Sequence, residues 1–333
     1  MAVKYTQLTL KERYTIEFLL QEGFSNINIA LRLGRDKSTI GREISRSSIS
    51  RSSYSAESAA EHAGKRCIRK TASKFTQFTK HEIKEMLKLK WTPEQISFHL
   101  KKDHMIFISH ELIYQYINND RKFGGTLYLL LPRRGKKYKK RNLKTRKRFS
   151  EAAAERKPIS ERPAEAALKN KIGHWEGDTV ESKGHRGGIA TFVDMKSKYT
   201  VIRKVRDKSS TEMKNAIIGS FIGCPELIKT LTVDNGNEFA LHDIISKRLK
   251  TQVYFADPYS PWQRGLNENT NGLIRRFYPK GTDFTKVSER ELLKVQNLLN
   301  ERPRKILGFK TPKEILTEEI IKKEEFKVLL KRI

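Results

Sequence analysis

Cysteine is nearly absent: the 333 residues include only Cys67 and Cys224, far apart in the chain. Two such residues build neither a disulfide framework nor a cysteine-rich zinc site. Long apolar runs are missing as well. No stretch approaches the roughly 20 apolar residues that span a bilayer, and the amino terminus, MAVKYTQLTLKER, lacks the apolar core of a secretion signal. The expectation from these absences is a reduced, cytoplasmic protein. Acid is the third shortage, with 38 Asp and Glu against 68 Lys and Arg and a net charge of +30. Such an excess suits nucleic acid, because each phosphate neutralised by Lys or Arg releases condensed counterions. An anionic membrane is the rival, disfavoured by the lack of a spanning run. Gly-x-Ser-x-Gly, Walker and His-Glu-x-x-His motifs are also missing, which leaves the hydrolytic chemistries they serve without support.

What is present begins with a helical pattern. Residues 8–21 place Leu10, Tyr14 and Phe18 at helical spacing, with Ile16, Leu19 and Leu20 widening the stripe, and Gly23 closes the segment. Ser25 caps a short helix to about Leu33, Gly34 makes a turn, and Asp36 caps a third helix to about Arg46. Ile29, Ala30, Leu33, Gly34, Ile40 and Ile44 fall where a helix-turn-helix needs small, flexible and aliphatic residues. Lys37, Ser38, Thr39 and Arg42 would then face outward toward bases and phosphates. A bundle with a merely polar face is the duller alternative.

Residues 45–58 contain eight serines in fourteen positions and read as a loosely held linker. The segment 80–90 looks helical. Thr92-Pro93-Glu94-Gln95 forms a capping-box start, and Ser109 opens a further helix with Leu112, Ile113, Tyr116 and Ile117. This resembles a second helix-turn-helix with a longer connection. Eleven Lys or Arg and no acid occupy 133–148. Like charges repel and nothing apolar offsets the ordering entropy, so this block is expected to be a tether that also binds phosphates, Arg133, Arg134, Lys136 and Lys137 among its contacts.

From about Ile172 the pattern changes to strand, strand, strand, helix, strand, helix, strand, helix. That order suggests a five-stranded mixed sheet, antiparallel first and parallel later, flanked by helices. Asp178 lies in the first strand, Asp234 ends the fourth, and Glu268 sits on a helix expected to start at Pro261 and stop before Pro279. That helix presents Leu266, Thr270, Leu273 and Phe277 on one face, for docking, and Glu268, Gly272 and Arg275 on the other. Gathered at one sheet edge, three carboxylates repel by roughly 4 kcal/mol per pair at about 4 Å. Divalent cations offset this, and oxygen donors suit Mg²⁺ or Mn²⁺, two ions serving phosphoryl transfer. Each acid also has a plainer reading: Asp-Asn-Gly is a common turn, and Glu176 shares a strand face with Asp178, so spacing alone does not choose between them.

Four blocks are more specific: GHWEGDTV (173–180), LTVDNGNEFALH (231–242), YSPWQRGLNENTNGLIRRFYPKGTDF (259–284) and NERPRKILGFKTPKEIL (300–316). Together they resemble the signatures of the insertion-sequence-thirty (IS-thirty) family of bacterial DDE transposases. The amino-terminal helix-turn-helix and the segment WTPEQI…ISHELIYQYI resemble that family's two DNA-binding modules. The resemblance covers essentially the whole chain. It implies a multi-domain protein in which all-α modules precede an α/β ribonuclease-H-like, retroviral-integrase-like catalytic domain.

On the same basis Asp178, Asp234 and Glu268 are the catalytic, metal-holding acids, with 55 residues between the first two and 33 between the last two. Asp178 is thereby preferred to Glu176. Arg264 and Arg275 become expected DNA contacts, and Asn235, Gly236 and Asn271 expected supports. The implied organisation is a helix-turn-helix domain at 1–50, a linker at 51–79, a second module at 80–120, a basic arm at 121–157, the catalytic domain at 158–316 and a charged tail at 317–333. The implied function is cleavage at terminal inverted repeats followed by 3′-OH strand transfer, by a homodimer or larger assembly on DNA in the bacterial nucleoid. The alternatives are a helix-turn-helix regulator with a non-catalytic carboxyl-terminal domain, or a nuclease of the same fold that does not join strands. A retroviral-type integrase fits less well, because its zinc module needs paired His and Cys.

Overall fold

Local capping decides where the first helices start. In the computed structural model, which describes residues 6–72, 75–132, 156–185, 187–258 and 260–330, Thr9 and Glu12 close a capping box on α1 (Leu10–Gln21). Ser25 accepts from the Asn28 N–H at the head of α2 (Asn26–Leu33), and Asp36 from the Ser38 N–H at the head of α3 (Lys37–Ser47). Between α2 and α3, Gly34 takes the left-handed conformation (φ 59°) that the tight turn requires. The chain forms two compact units, Met1–Ile83 with Ile106–Ile108, and Lys84–Met105 with Ser109–Ile333.

In the first unit Ile16, Leu19, Ile29, Ala30, Ile40 and Ile44 form the core. A buried ion pair joins α1 to α3, Arg13 Nε to Glu43 Oε1 at 2.5 Å. This turns α1 from the expected orientation. Leu10, Tyr14 and Phe18 stay largely exposed, because the face carrying Arg13, Ile16 and Leu19 is the one that meets the other helices. The serine-rich stretch is also more ordered than its composition suggests. Tyr54 and Ala59 enter the core, and α4 (Ala56–Ala72) occupies much of the expected linker. α5 (Gln77–Lys88) follows.

The second unit takes in the end of α5 from Lys84, then α6 (Pro93–His104), begun by the Thr92/Gln95 capping box, and α7 (His110–Lys122), capped by Ser109. After α8 (Ala164–Leu168) come β1 (His174–Glu181), β2 (Gly188–Asp194), β3 (Thr200–Val205), α9 (Ser210–Phe221), β4 (Thr230–Val233), α10 (His242–Leu249), β5 (Gln252–Phe255), α11 (Gly265–Ile274), α12 (Glu289–Asn300) and α13 (Pro312–Leu330). α13 runs across the expected boundary with the charged tail. The strand order is β3-β2-β1-β4-β5, with β1–β2 and β2–β3 antiparallel and β1–β4 and β4–β5 parallel. This mixed sheet is the ribonuclease-H-like arrangement expected.

Strand alternation sorts the residues of β1. Trp175 and Gly177 face a core shared with α9 and α10, which includes Phe192, Phe221, Leu231 and Val233. Val180 faces the opposite core, with Ile274 of α11 and Leu292, Val295 and Leu299 of α12. Glu176 and Asp178 therefore lie on the α11 side. α12 also covers the edge strand: Asn300 exchanges two 2.8 Å hydrogen bonds with the Thr200 backbone, and Gln296 accepts from the Ile202 N–H.

Two signature blocks meet within this unit. Gln95 donates to the Pro303 carbonyl at 2.5 Å and accepts from Arg302 Nε at 2.8 Å, Lys305 pairs with Glu94, and Phe98 stacks on Phe309 at 4.4 Å. No helix among the described residues is long and apolar enough to cross a membrane.

Candidate active site

The sheet register brings the first two acids together. Glu176 of β1 pairs with Thr232 of β4 in parallel register, and two further residues along each chain stand Asp178 and Asp234. β4 ends at Val233, so Asp234 projects from the strand's carboxyl end while Asp178 is still within β1. The Asp-Asn-Gly turn holds its aspartate. Gly236 N–H donates to Asp234 Oδ1 at 3.0 Å, and Asn235 anchors the turn to the end of β5 by donating to the Ala256 carbonyl at 2.6 Å. The Asn235 carbonyl in turn accepts from Arg156 at 2.8 Å.

Asp178 is held from the helix above it. Asn271 of α11 donates to Asp178 Oδ2 at 2.7 Å and accepts from the Thr191 hydroxyl at 3.1 Å. Thr191 is Asp178's partner in the β1–β2 register. Burial pushes the Asp178 carboxyl above its ordinary range; the Arg264 guanidinium opposes that shift and the Asp234 charge reinforces it. Glu176, one pleat deeper, is fully buried and raised by the same loss of solvent, with Oε2 accepting from the Asn267 N–H at 3.2 Å and Oε1 lacking a hydrogen-bond partner.

A cation lies between the two aspartates. Arg264 Nη2 is 3.2 Å from Asp234 Oδ2, Nη1 is 3.7 Å from Asp178 Oδ1, and Nη1 also donates to the Gly177 carbonyl at 3.0 Å. Glu268 sits exposed in the first turn of α11. Its oxygens do not gather with those of Asp178 and Asp234 within 4.8 Å. The structure thus brings together Asp178, Asp234, Asn271, Asn235 and Gly236 of the expected site, and adds Arg264, expected at DNA phosphates.

The helix bearing Glu268 differs from its expected form. Pro261–Arg264 is a 3-10 turn and the α-helix itself spans only Gly265–Ile274. Its buried residues are Asn267, Thr270 and Ile274; of the expected docking face Thr270 is buried and Leu273 and Phe277 pack half-buried against the core with α12, while the buried face is turned further toward Asn267 and Ile274. Two acids lie beneath α11: Asp178 accepts from the Asn271 side chain and Glu176 from the Asn267 backbone N–H, so this part of the helix turns to the sheet. Arg275 is likewise turned inward, donating to the Glu181 carbonyl at 3.0 Å. Thr191 escaped the sequence reading, although pairing the first two strands across their turn would have placed it opposite Asp178.

Of the helix-turn-helix residues, Lys37, Ser38 and Arg42 are exposed on α3 and Thr39 is half-buried. Arg42 Nε donates back to the Ser38 carbonyl at 3.0 Å. Arg133, Arg134, Lys136 and Lys137 lie outside the described residues.

Residues 4–47 match the model of a helix-turn-helix domain family, and residues 169–261 match that of the integrase core domain. The transposase for insertion sequence element IS4351 of Bacteroides fragilis is 40% identical over 309 residues, covering 92% of this chain and 94% of the relative. Transposase InsI for insertion sequence element IS30C of Escherichia coli (strain K12) is 40% identical over 319 residues, covering 93% and 83%. The crystal structure of the catalytic core domain of BIV integrase aligns with 46% of this chain and 99% of its own, at 21% identity and a TM-score of 0.38.

Fold, motifs and relatives define a DNA-binding polynucleotidyl transferase, an enzyme that cuts and joins phosphodiesters and depends on a divalent metal. The chain belongs to the IS30 family of DDE transposases. Its residues fit such a metal on chemical grounds. Two carboxylates converge on one positive group, and the Arg264 guanidinium stands where a cation with hard oxygen ligands would be held.

Proposed function

We propose that Asp178, Asp234 and Glu268 are the catalytic acids, that they hold Mg²⁺ or Mn²⁺ as a pair of ions, and that terminal inverted repeats are cut there and their 3′-OH ends joined to target DNA. The observation that carries this reading is the pair of aspartates, level with each other on adjacent parallel strands and facing a single cation. Bound there, the metal supplies activation of the attacking oxygen and stabilisation of the leaving one.

The chain's own groups orient the acids. Asn271 occupies Asp178 Oδ2 and the Gly236 N–H occupies Asp234 Oδ1, which turns Asp178 Oδ1 and Asp234 Oδ2 toward the Arg264 guanidinium. Asn235 keeps the turn against β5, so the two carboxylates cannot drift apart with the loop. Glu268 completes the set from α11, on the helix whose inner face already holds Asp178.

Lys37, Ser38, Thr39 and Arg42 on α3 contribute recognition of DNA, and Arg133, Arg134, Lys136 and Lys137 add phosphate contacts that carry little sequence information. Arg264 and Arg275 bracket Glu268 in the chain, and on this reading they contact the strand being cut when released from the aspartates and the Glu181 carbonyl that hold them here. Two ends have to be paired before joining, so the working form is a homodimer or larger assembly on DNA, in the cytoplasm at the nucleoid.

The test uses DNA carrying the inverted repeats of the chain's own element. Asp234→Ala should abolish metal-dependent nicking, and nicking that survives it would remove the catalytic assignment. A pre-cleaved 3′-OH end supplied with target DNA should give joined product in the parent chain; cleavage without joining would mark a nuclease instead.

A further inference from the structure

Arg264 makes three contacts at the paired aspartates, and each uses an atom a bound cation would compete for or disturb. Its guanidinium reaches Asp234 Oδ2, Asp178 Oδ1 and the Gly177 carbonyl between them. The side chain is 15% exposed, against 21% and 41% for the two aspartates, so this is not a loose surface pair. Four residues further on, Glu268 faces solvent and takes no part in the cluster. Arg264 closes the 3-10 turn and Gly265 begins α11, so the arginine and the glutamate lie on either side of one change of helix type.

Two partly buried carboxylates facing one point repel, and a positive charge between them offsets the repulsion. A guanidinium can do that, and so can a divalent metal, but both cannot share the same oxygens because they repel each other. We propose that Arg264 is a built-in counterion that occupies Asp178 and Asp234 until metal arrives, and that metal binding requires it to leave, exchanging arginine for Glu268 at the acidic pair. The inference rests on the reading of Asp178 and Asp234 as metal ligands. It adds that metal affinity is held down by the chain itself, since the apparent affinity falls with the fraction of molecules in which the site is open. Metal binding and movement of the segment 260–268 then become one event.

The experiment measures Mn²⁺ binding to the full-length chain, without DNA, by titration calorimetry, together with the melting temperature with and without Mn²⁺. Arg264→Gln should tighten Mn²⁺ binding about tenfold or more, lower the melting temperature of the metal-free chain, and enlarge the rise on adding Mn²⁺. Arg264→Lys keeps the charge without the planar fork that bridges two carboxylates; it should fall between, and it carries the test should the glutamine variant not fold. Lys208 is the control, because it pairs with Glu181 and Glu238 and feels the Asp234 charge without sitting on the aspartates. Lys208→Gln should change the affinity far less. Equal Mn²⁺ affinity in the parent and both Arg264 variants would overturn the proposal, as would equal tightening by Lys208→Gln, which marks a general charge effect. Asp178→Asn separates the two levels. If it abolishes binding while the arginine variants change nothing, only the counterion role falls; if Mn²⁺ binding is absent from the parent or indifferent to Asp178→Asn, the metal reading of the pair falls with it.

Discussion

Asn271 holds Asp178 by one side of its amide, donating to Oδ2 at 2.7 Å, while the other side is fixed by the Thr191 hydroxyl at 3.1 Å. The amide therefore cannot flip without losing both bonds. Groups that orient metal-ligating carboxylates typically contribute 10–100-fold to activity. Asn271→Ala should accordingly lower single-turnover cleavage of end DNA by roughly that factor, with Thr191→Val giving a smaller loss in the same direction. Asn271→Asp should be worse than Asn271→Ala, because it sets a third carboxylate against Asp178. Equal rates in the alanine variant and the parent chain would show that Asp178 needs no such support.

Gly177 sits between the two halves of the site, its neighbours in β1 facing α11 and its own missing side chain facing the opposite core. A Cβ there would lie 3.1 Å from Val233 and 3.3 Å from Leu231. Gly177→Ala overpacks that core and should cost on the order of 1–3 kcal/mol, seen as a lower denaturant midpoint with unchanged slope. A midpoint equal to the parent's would mean that β1 and β4 move apart freely, and that the level placement of Asp178 and Asp234 is not tightly held.

Much of this architecture is written locally and could be read from residues alone. Ser25, Gly34 and Asp36 mark a helix-turn-helix because caps and a left-handed glycine act within one turn of chain. The strands of the catalytic unit follow from β-branched and aromatic runs, and their order from connection rules. What escaped depends on tertiary partners. α11 turns Asn271 and the Asn267 backbone N–H to Asp178 and Glu176 beneath it, contacts that amphipathic spacing does not show, and Asn267 is buried where that spacing put Leu266. Ile16 and Leu19 prevail over Leu10 and Phe18 on α1 because Arg13 pairs with Glu43, thirty residues away. Arg264 reads as a phosphate ligand by charge, and only the fold reveals acids at its side.

The joint between α6 and the carboxyl-terminal block gives a stability prediction. Arg302 is almost fully buried, and among the described residues it has no carboxylate in ion-pair contact and one nitrogen, Nη1, without a hydrogen-bond partner. Gln95 Oε1 accepts from its Nε at 2.8 Å. Gln95→Ala leaves a second donor of a buried cation unpaired and should cost about 1.5–3 kcal/mol. Gln95→Glu forfeits the bond to the Pro303 carbonyl but places a negative charge beside Arg302, and should be less destabilised than the alanine variant. Melting of the full chain checks the order; the reverse order would show that the Gln95–Pro303 bond dominates the joint.

Glu176 allows a prediction in which pH, rather than the size of the effect, is decisive. Burial raises its pKa above the ordinary carboxylate value, so the folded chain favours the protonated acid more than the unfolded chain does. Its contribution to stability is therefore full below the unfolded pKa and is lost as pH rises through the folded pKa. Glutamine in its place keeps an acceptor for the Asn267 N–H but cannot ionise. The melting temperature of Glu176→Gln minus that of the parent should thus climb as pH is raised from acid toward neutral, whatever its sign at the acid end. Groups common to both chains cancel in that difference. A flat difference would mean that Glu176 is solvated as well in the folded chain as in the unfolded one, and that the inner face of α11 admits water beside Asp178.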